Sequence, residues 1–123
     1  MPIFVIHEHF ASHHHWDLRL EIGGVLKSWA VPKQPPRTKG IKRLAIQVPD
    51  HLCSYAKFEG EIPEGQYGAG KVEIWDKGKF HLIEKNKNKI EFELKGIKLK
   101  GKYVLIKTKY GKDPDKNWLF FKI

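Results

Sequence analysis

His15, Asp17, Arg19 and Glu21 occupy every second position of the string HWDLRLEI, and their alternates Trp16, Leu18, Leu20 and Ile22 are apolar. A period of two marks a β-strand with unlike faces. One face offers Trp16, Leu18, Leu20 and Ile22 to a core. The other carries an imidazole, a carboxylate, a guanidinium and a second carboxylate in a row. Same-face neighbours lie about 6.6 Å apart, twice the rise per residue. His15 and Asp17 can therefore converge on one small cation while Arg19 meets an anion. His9, on the preceding segment, is a third candidate ligand. Imidazole and carboxylate suit Mn²⁺, Zn²⁺ or Fe²⁺. Three protein ligands with open positions make a catalytic rather than a structural site. The competing reading is a solvated strand face, because outward polar alternation is normal in antiparallel sheets.

Other residues could join this chemistry. His7 shares the strand parity of His9 and competes with it as a ligand, whereas His13 and His14 are expected to face solvent from a loop. His51 follows Pro49-Asp50, just past an expected strand end, and Tyr55 comes four residues later. Loops at strand ends often hold functional side chains, although each residue alone fits a surface or capping role equally well. Lys33 and Arg43 flank a proline-rich crossing and could reach an anion; a solvated charge is the alternative. The PEGQYGAG segment lacks the Gly-Lys-Ser/Thr ending of a P-loop, and no dinucleotide fingerprint precedes a helix. It is expected to be a tight turn with close backbone approach.

The elements that must position these groups read as short strands. They are Ile3 to His7, His15 to Ile22, Val25 to Val31 and Leu44 to Val48, then Val72 to Trp75 and Phe80 to Glu84 joined at Lys77-Gly78. Ile90 to Leu94, Tyr103 to Thr108 and Trp118 to Ile123 complete the set. Gly23-Gly24 is a two-residue hairpin turn. His51 to Phe58 is a helical turn or irregular loop, and Ile62 to Gly70 a glycine-rich loop. Strands at such regular spacing indicate an all-β barrel or sandwich.

The 123 residues form a single domain, 1–123. A chain of this size buries roughly two-thirds of its unfolded surface, enough for one core. With 41% hydrophobic residues and four Trp, a folded rather than a disordered chain is expected. One Cys rules out an internal disulfide framework and a cysteine zinc site. No apolar run reaches membrane-spanning length, and no secretory signal precedes the first strand, so a cytoplasmic protein without a membrane partner is expected. The net charge is +9, from 23 Lys plus Arg against 14 Asp plus Glu. That excess favours a polyanionic partner, nucleic acid above all. Much of it lies in the C-terminal half, from Lys77 to Lys112.

The strings HFASHHHWDLRLEIGGVLKSWAVPK, RLAIQVPDHLCSYAKFEGEIPEGQYGAG and VEIWDKGKF resemble the 3′-phosphoesterase domain of DNA ligase D, in its stand-alone, archaeal-type version. The resemblance covers nearly the whole chain. It implies a compact single-domain β-barrel of about eight strands with an outer crescent-shaped groove. It implies a manganese-dependent enzyme that removes a 3′-terminal ribonucleoside from DNA to leave a 3′-phosphate, then hydrolyses that phosphate to a 3′-hydroxyl. By motif match His9, His15 and Asp17 hold the metal, Arg19, His51 and Tyr55 grip or polarise the phosphate, and Lys33 and Arg43 are basic residues of the groove. The ligands would also admit Co²⁺ or Zn²⁺. The implied substrate is a DNA primer-template or 3′ end bearing a ribonucleotide or a 3′-phosphate. A separate DNA ligase and a Ku-like end-joining protein are implied partners that the residues leave open. His13-His14 stands where the family often has Arg-Leu, and Leu52 replaces a common proline. The arm that precedes the first strand in ligase-fused members is expected to be absent, which would affect the balance of diesterase and monoesterase activity.

Direct attack by water fits the residues, because no serine, cysteine or aspartate sits in a nucleophile setting. A protonated His51 would donate to the phosphate or assist the leaving oxygen, and Arg19 would present a bidentate fork. A non-catalytic nucleic-acid-binding barrel is the rival. It would bind in a salt-sensitive way but has no need of a carboxylate beside the phosphate. A metal-dependent barrel acting on small molecules is the third class.

Overall fold

The computed structural model describes residues 2–109 and 115–123. Lys112 lies outside them. Nine strands follow in order: β1 (Ile3–Phe10), β2 (His15–Ile22), β3 (Val25–Val31), β4 (Lys42–His51), β5 (Gly60–Ile62), β6 (Gly70–Lys85), β7 (Lys89–Lys95), β8 (Lys100–Lys107) and β9 (Asn117–Lys122). They pair in the order β1-β2-β3-β4-β9-β8-β7-β6-β5, and a further antiparallel β1–β6 pairing closes the sheet. The result is an eight-stranded antiparallel barrel with β5 added outside on β6. Closure removes the free edges that an open sheet would expose.

The strand faces divide as their alternation requires. Leu18 and Leu20 are fully buried in the barrel with Phe4, Ile6, Trp29, Phe80, Phe92, Tyr103 and Phe120, while Trp16 and Ile22 pack at its margins. Each such side chain contributes about 1.5–3 kcal/mol on burial. A second, smaller cluster lies outside the barrel wall. Val5, Leu26 and Ala56 form it, with Ile3, Tyr55 and Ile74 packed against them. It seats the 3₁₀ turn Cys53–Lys57 on the outer faces of β1 and β3.

Four elements differ from the sequence expectation. β1 runs past His7 to Phe10 and so carries His9 within the strand. Lys77-Gly78 is no turn, for β6 runs unbroken from Gly70 to Lys85. Its first half pairs with β1 and its second with β7, so it passes from one neighbour to the next without reversing. Gly78 is needed for close approach: a Cβ there would lie 2.3 Å from the Lys95 carbonyl oxygen. β4 is longer than Leu44 to Val48 and carries Pro49 and His51 within it. Its pairing with β9 ends at Ile46, which leaves the Pro49 side free of a ladder partner and tolerant of proline. β5 is the fourth difference; three residues are too few for a periodic signal.

Candidate active site

Hairpin geometry assembles the site on the outer face of the barrel. The β1–β2 register sets His9 opposite His15 and His7 opposite Asp17. The two-residue turn at Gly23-Gly24 then forces Arg19 opposite Ser28 and Asp17 opposite Ala30. These outward side chains are not solvated. His7 and Ser28 are 0% exposed, Arg19 4% and Asp17 5%, which excludes the solvated-face reading. They line or underlie a cleft of about 710 Å³ bounded by β1, β2 and β3, by His51 and Tyr55, and by the 62–70 loop.

One end of the cleft is a ligand set. Donor atoms of His9, His15 and Asp17 all lie within 4.8 Å of one another. His9 Nδ1 is 3.5 Å from Asp17 Oδ2, and His15 Nε2 is 3.2 Å from Asp17 Oδ1. The far nitrogens are tied to main-chain carbonyls. His9 Nε2–H donates to Gly68 O at 2.7 Å, and His15 Nδ1–H donates to His13 O at 2.9 Å. Carbonyl partners of this kind set ring orientation and tautomer, leaving the opposite nitrogen free to bind a metal. Burial opposes ionisation of Asp17, but His15, His9 and Arg19 together hold its carboxyl well below the usual carboxylate range. Burial also lowers His15, and Asp17 more than reverses this, so its pKa is raised. Asp17 thus favours positive charge at the point where a divalent cation would meet all three ligand atoms. The donor set fits a borderline divalent ion.

Arg19 organises the other end. Its Nε–H donates to His7 Nδ1 at 3.1 Å, and its Nη1 donates to Ser28 Oγ at 2.9 Å and to His51 Nδ1 at 3.1 Å. Nη2 donates to Asp17 Oδ2 at 3.3 Å. A guanidinium has five N–H donors. Among the described residues these four contacts leave a single Nη2 hydrogen for a ligand. The expectation of a bidentate fork on phosphate is thereby corrected: the fork is spent on the protein.

An arginine can only donate, so His51 Nδ1 must accept, and its hydrogen sits on Nε2. Burial and the Arg19 charge both push the His51 pKa down, against weaker pulls from the Pro49 main chain and two aspartates. His51 is therefore a neutral Nε2–H donor, where the sequence suggested an imidazolium. Tyr55 stacks on Phe58 at 5.0 Å and tilts against His51 at 4.5 Å. Its ring receives the Arg19 guanidinium at 5.0 Å. Burial raises its pKa, so it stays a phenol.

Residues 7–107 match the family model described as the DNA Ligase D 3'-phosphoesterase domain. The chain belongs to this family. It is 47% identical over 110 residues to the multifunctional non-homologous end joining protein LigD of Pseudomonas aeruginosa, covering 85% of this chain and 13% of that protein. It is 49% identical over 110 residues to the multifunctional non-homologous end joining DNA repair protein LigD of Mycobacterium tuberculosis, covering 85% and 14%. A third relative, LigD of Mycolicibacterium smegmatis, is 46% identical over 127 residues, covering 94% and 16%. The chain thus spans about one seventh of the length of these curated relatives.

Within this phosphoesterase domain, His9, His15, Asp17, Arg19, His51 and Tyr55 share one cleft. Lys33 and Arg43 do not line it. Lys33 is exposed beyond the end of β3, and Arg43 turns its Nε–H to the Gln34 carbonyl at 2.9 Å. His7 is no part of the ligand set; it lies beneath Arg19, with burial and the Arg19 charge pushing its pKa down to about 4. Ser28 carries no motif of its own, yet hairpin counting from Gly23-Gly24 places it beside Arg19. Its hydroxyl accepts from Arg19 and donates to Leu26 O at 3.0 Å. The glycine-rich segment is the turn that the sequence suggested. A Cβ on Gly70 would lie 2.4 Å from the Phe10 carbonyl oxygen, so only glycine lets the loop close over β1 and deliver Gly68 to His9.

Proposed function

We propose that this domain heals DNA 3′ ends by hydrolysing phosphate esters in a manganese-dependent way. It removes a terminal ribonucleoside to leave a 3′-phosphate and then converts that phosphate to a 3′-hydroxyl. Family membership and the two-imidazole, one-carboxylate set beside a buried arginine support this reading. The observation that carries it is the pair of carbonyl-fixed imidazoles turned on Asp17. His9, His15 and Asp17 would hold the ion. When bound, a divalent cation supplies charge neutralisation for the phosphate ester and a lowered pKa for water.

The protein's own groups do the rest. Arg19 places its positive charge next to the ion site and gives its last N–H to a non-bridging oxygen. His51 Nε2–H and the Tyr55 hydroxyl are neutral donors for the phosphate or the leaving oxygen. Asp17 is kept ionised by its neighbours. No side chain is required as a nucleophile, and water attacks phosphorus. End joining also needs recognition and sealing of ends, so a Ku-like protein and a DNA ligase are the proposed partners, fused to this domain or separate.

The test is a primer-template ending in one ribonucleotide, incubated with and without Mn²⁺. Sequential appearance of 3′-phosphate and 3′-hydroxyl products is expected only with metal. Asp17→Ala should abolish both steps. Full activity in that variant would overturn the metal assignment. Salt-sensitive binding without products would favour the non-catalytic barrel.

A further inference from the structure

A column of rings stands at the mouth of the cleft, and nothing in the proposed hydrolysis uses it. Phe10 ends β1, lines the cleft and is 41% exposed. The His14 ring stacks on it at 4.7 Å with an interplanar angle of 16°. His14 in turn meets Trp16 at 4.5 Å, and Trp16 packs on the barrel core. Glu8 holds His14 in place, its carboxylate 2.9 Å from Nε2. The Phe10 main chain is clamped as well, by pairing with Lys71 and by the close approach of Gly70. A large apolar ring is thus left in water at the rim of a catalytic cleft, and its orientation is fixed from behind.

We propose that Phe10, backed by His14 and Trp16, is the stacking platform for the nucleobase at the 3′ end that enters the cleft. The proposal rests on the reading of the cleft as a DNA 3′-end site. Every base has a π-face, so such a platform grips the terminal nucleotide without reading its sequence. It also explains why the loop residue His14, expected to be simply solvated, is held by a carboxylate and two rings.

The test measures binding to ends that cannot turn over. Two 3′-hydroxyl primers are compared by fluorescence anisotropy, one ending in thymidine and one in an abasic residue. Stacking of one base is worth a factor of about ten in affinity, so the wild-type protein should prefer the thymidine end by about tenfold. Phe10→Ala should bind both ends with the weaker affinity. Phe10→Trp, which keeps a stacking face, should retain the preference. Equal binding of the two ends by wild type, or an undiminished preference in Phe10→Ala, would overturn the proposal, as would loss of the preference in Phe10→Trp. Phosphate release from a 3′-phosphorylated primer is assayed alongside. Release without the base preference removes the platform alone; a Phe10-dependent preference without release removes the hydrolytic reading and leaves the platform standing.

Discussion

His7 makes the stability of this domain depend on pH in a way that can be isolated. The residue is fully buried and accepts the Arg19 Nε–H at 3.1 Å. Burial first and the Arg19 charge second move its pKa from 6.5 down to about 4. In the window between these values the unfolded chain binds a proton at His7 and the folded chain does not, so stability rises with pH. The contribution is fully present above pH 6.5 and is lost as pH falls through about 4. At 1.36 kcal/mol per pH unit the whole window amounts to about 3 kcal/mol. His7→Asn keeps an acceptor near the Nδ1 position for Arg19 and removes the titration. Urea unfolding, followed without divalent ions from about pH 7 to about pH 4, should show the variant losing about 3 kcal/mol less than wild type. His51 is shifted in the same direction and Asp17 titrates lower, but both are present in both proteins and cancel in the difference. Parallel curves for the two proteins would refute the idea that burial and Arg19 hold His7 neutral.

Three further outcomes are expected. Arg19→Lys leaves at least one of the acceptors His7, Ser28, His51 and Asp17 unpaired, because an ammonium has three N–H groups for four acceptors; at about 1–3 kcal/mol per buried group it should lose about 1–3 kcal/mol. Its kcat for 3′-phosphate release should fall about a hundredfold, and wild-type kcat and urea midpoint would remove Arg19 from its organising role. Gly70→Ala forces a Cβ to within 2.4 Å of the Phe10 carbonyl at a backbone φ of +127°, so thermal unfolding should show a loss of about 2 kcal/mol or more, and an unchanged Tm would show that the loop has room. Asp76 accepts main-chain N–H groups from Ile97, Lys98 and Leu99 at 2.9, 3.2 and 2.8 Å. Asp76→Ala should therefore cost about 2–4 kcal/mol while leaving kcat intact, since Asp76 does not line the cleft; a selective loss of kcat would contradict this.

The alternation of HWDLRLEI was sufficient to divide β2 into a core face and a chemical face, because a strand has only two sides. Leu18 and Leu20 went in, and Asp17 and Arg19 went out. The hairpin turn at Gly23-Gly24 also set the β2–β3 register from local chemistry alone. Local pattern failed where neighbours change along a strand. Lys77-Gly78 looks like a turn in isolation, yet β6 passes straight through it from β1 to β7. The same limit hid the extension of β4 through Pro49 to His51, whereas β5 is too short to show a period.

The chain's residues by themselves determined an all-β domain, its charged strand face and the family to which it belongs. Only the closed barrel decided that this face would be buried under the 3₁₀ turn and the glycine-rich loop. Burial is what turned Arg19 from a free phosphate fork into a hub with one donor to spare, and what made His51 a neutral donor and His7 a silent one. Proton affinities and hydrogen-bond roles depend on which groups meet across strands and on how much water is excluded. Neither quantity is written in the spacing of residues along one strand.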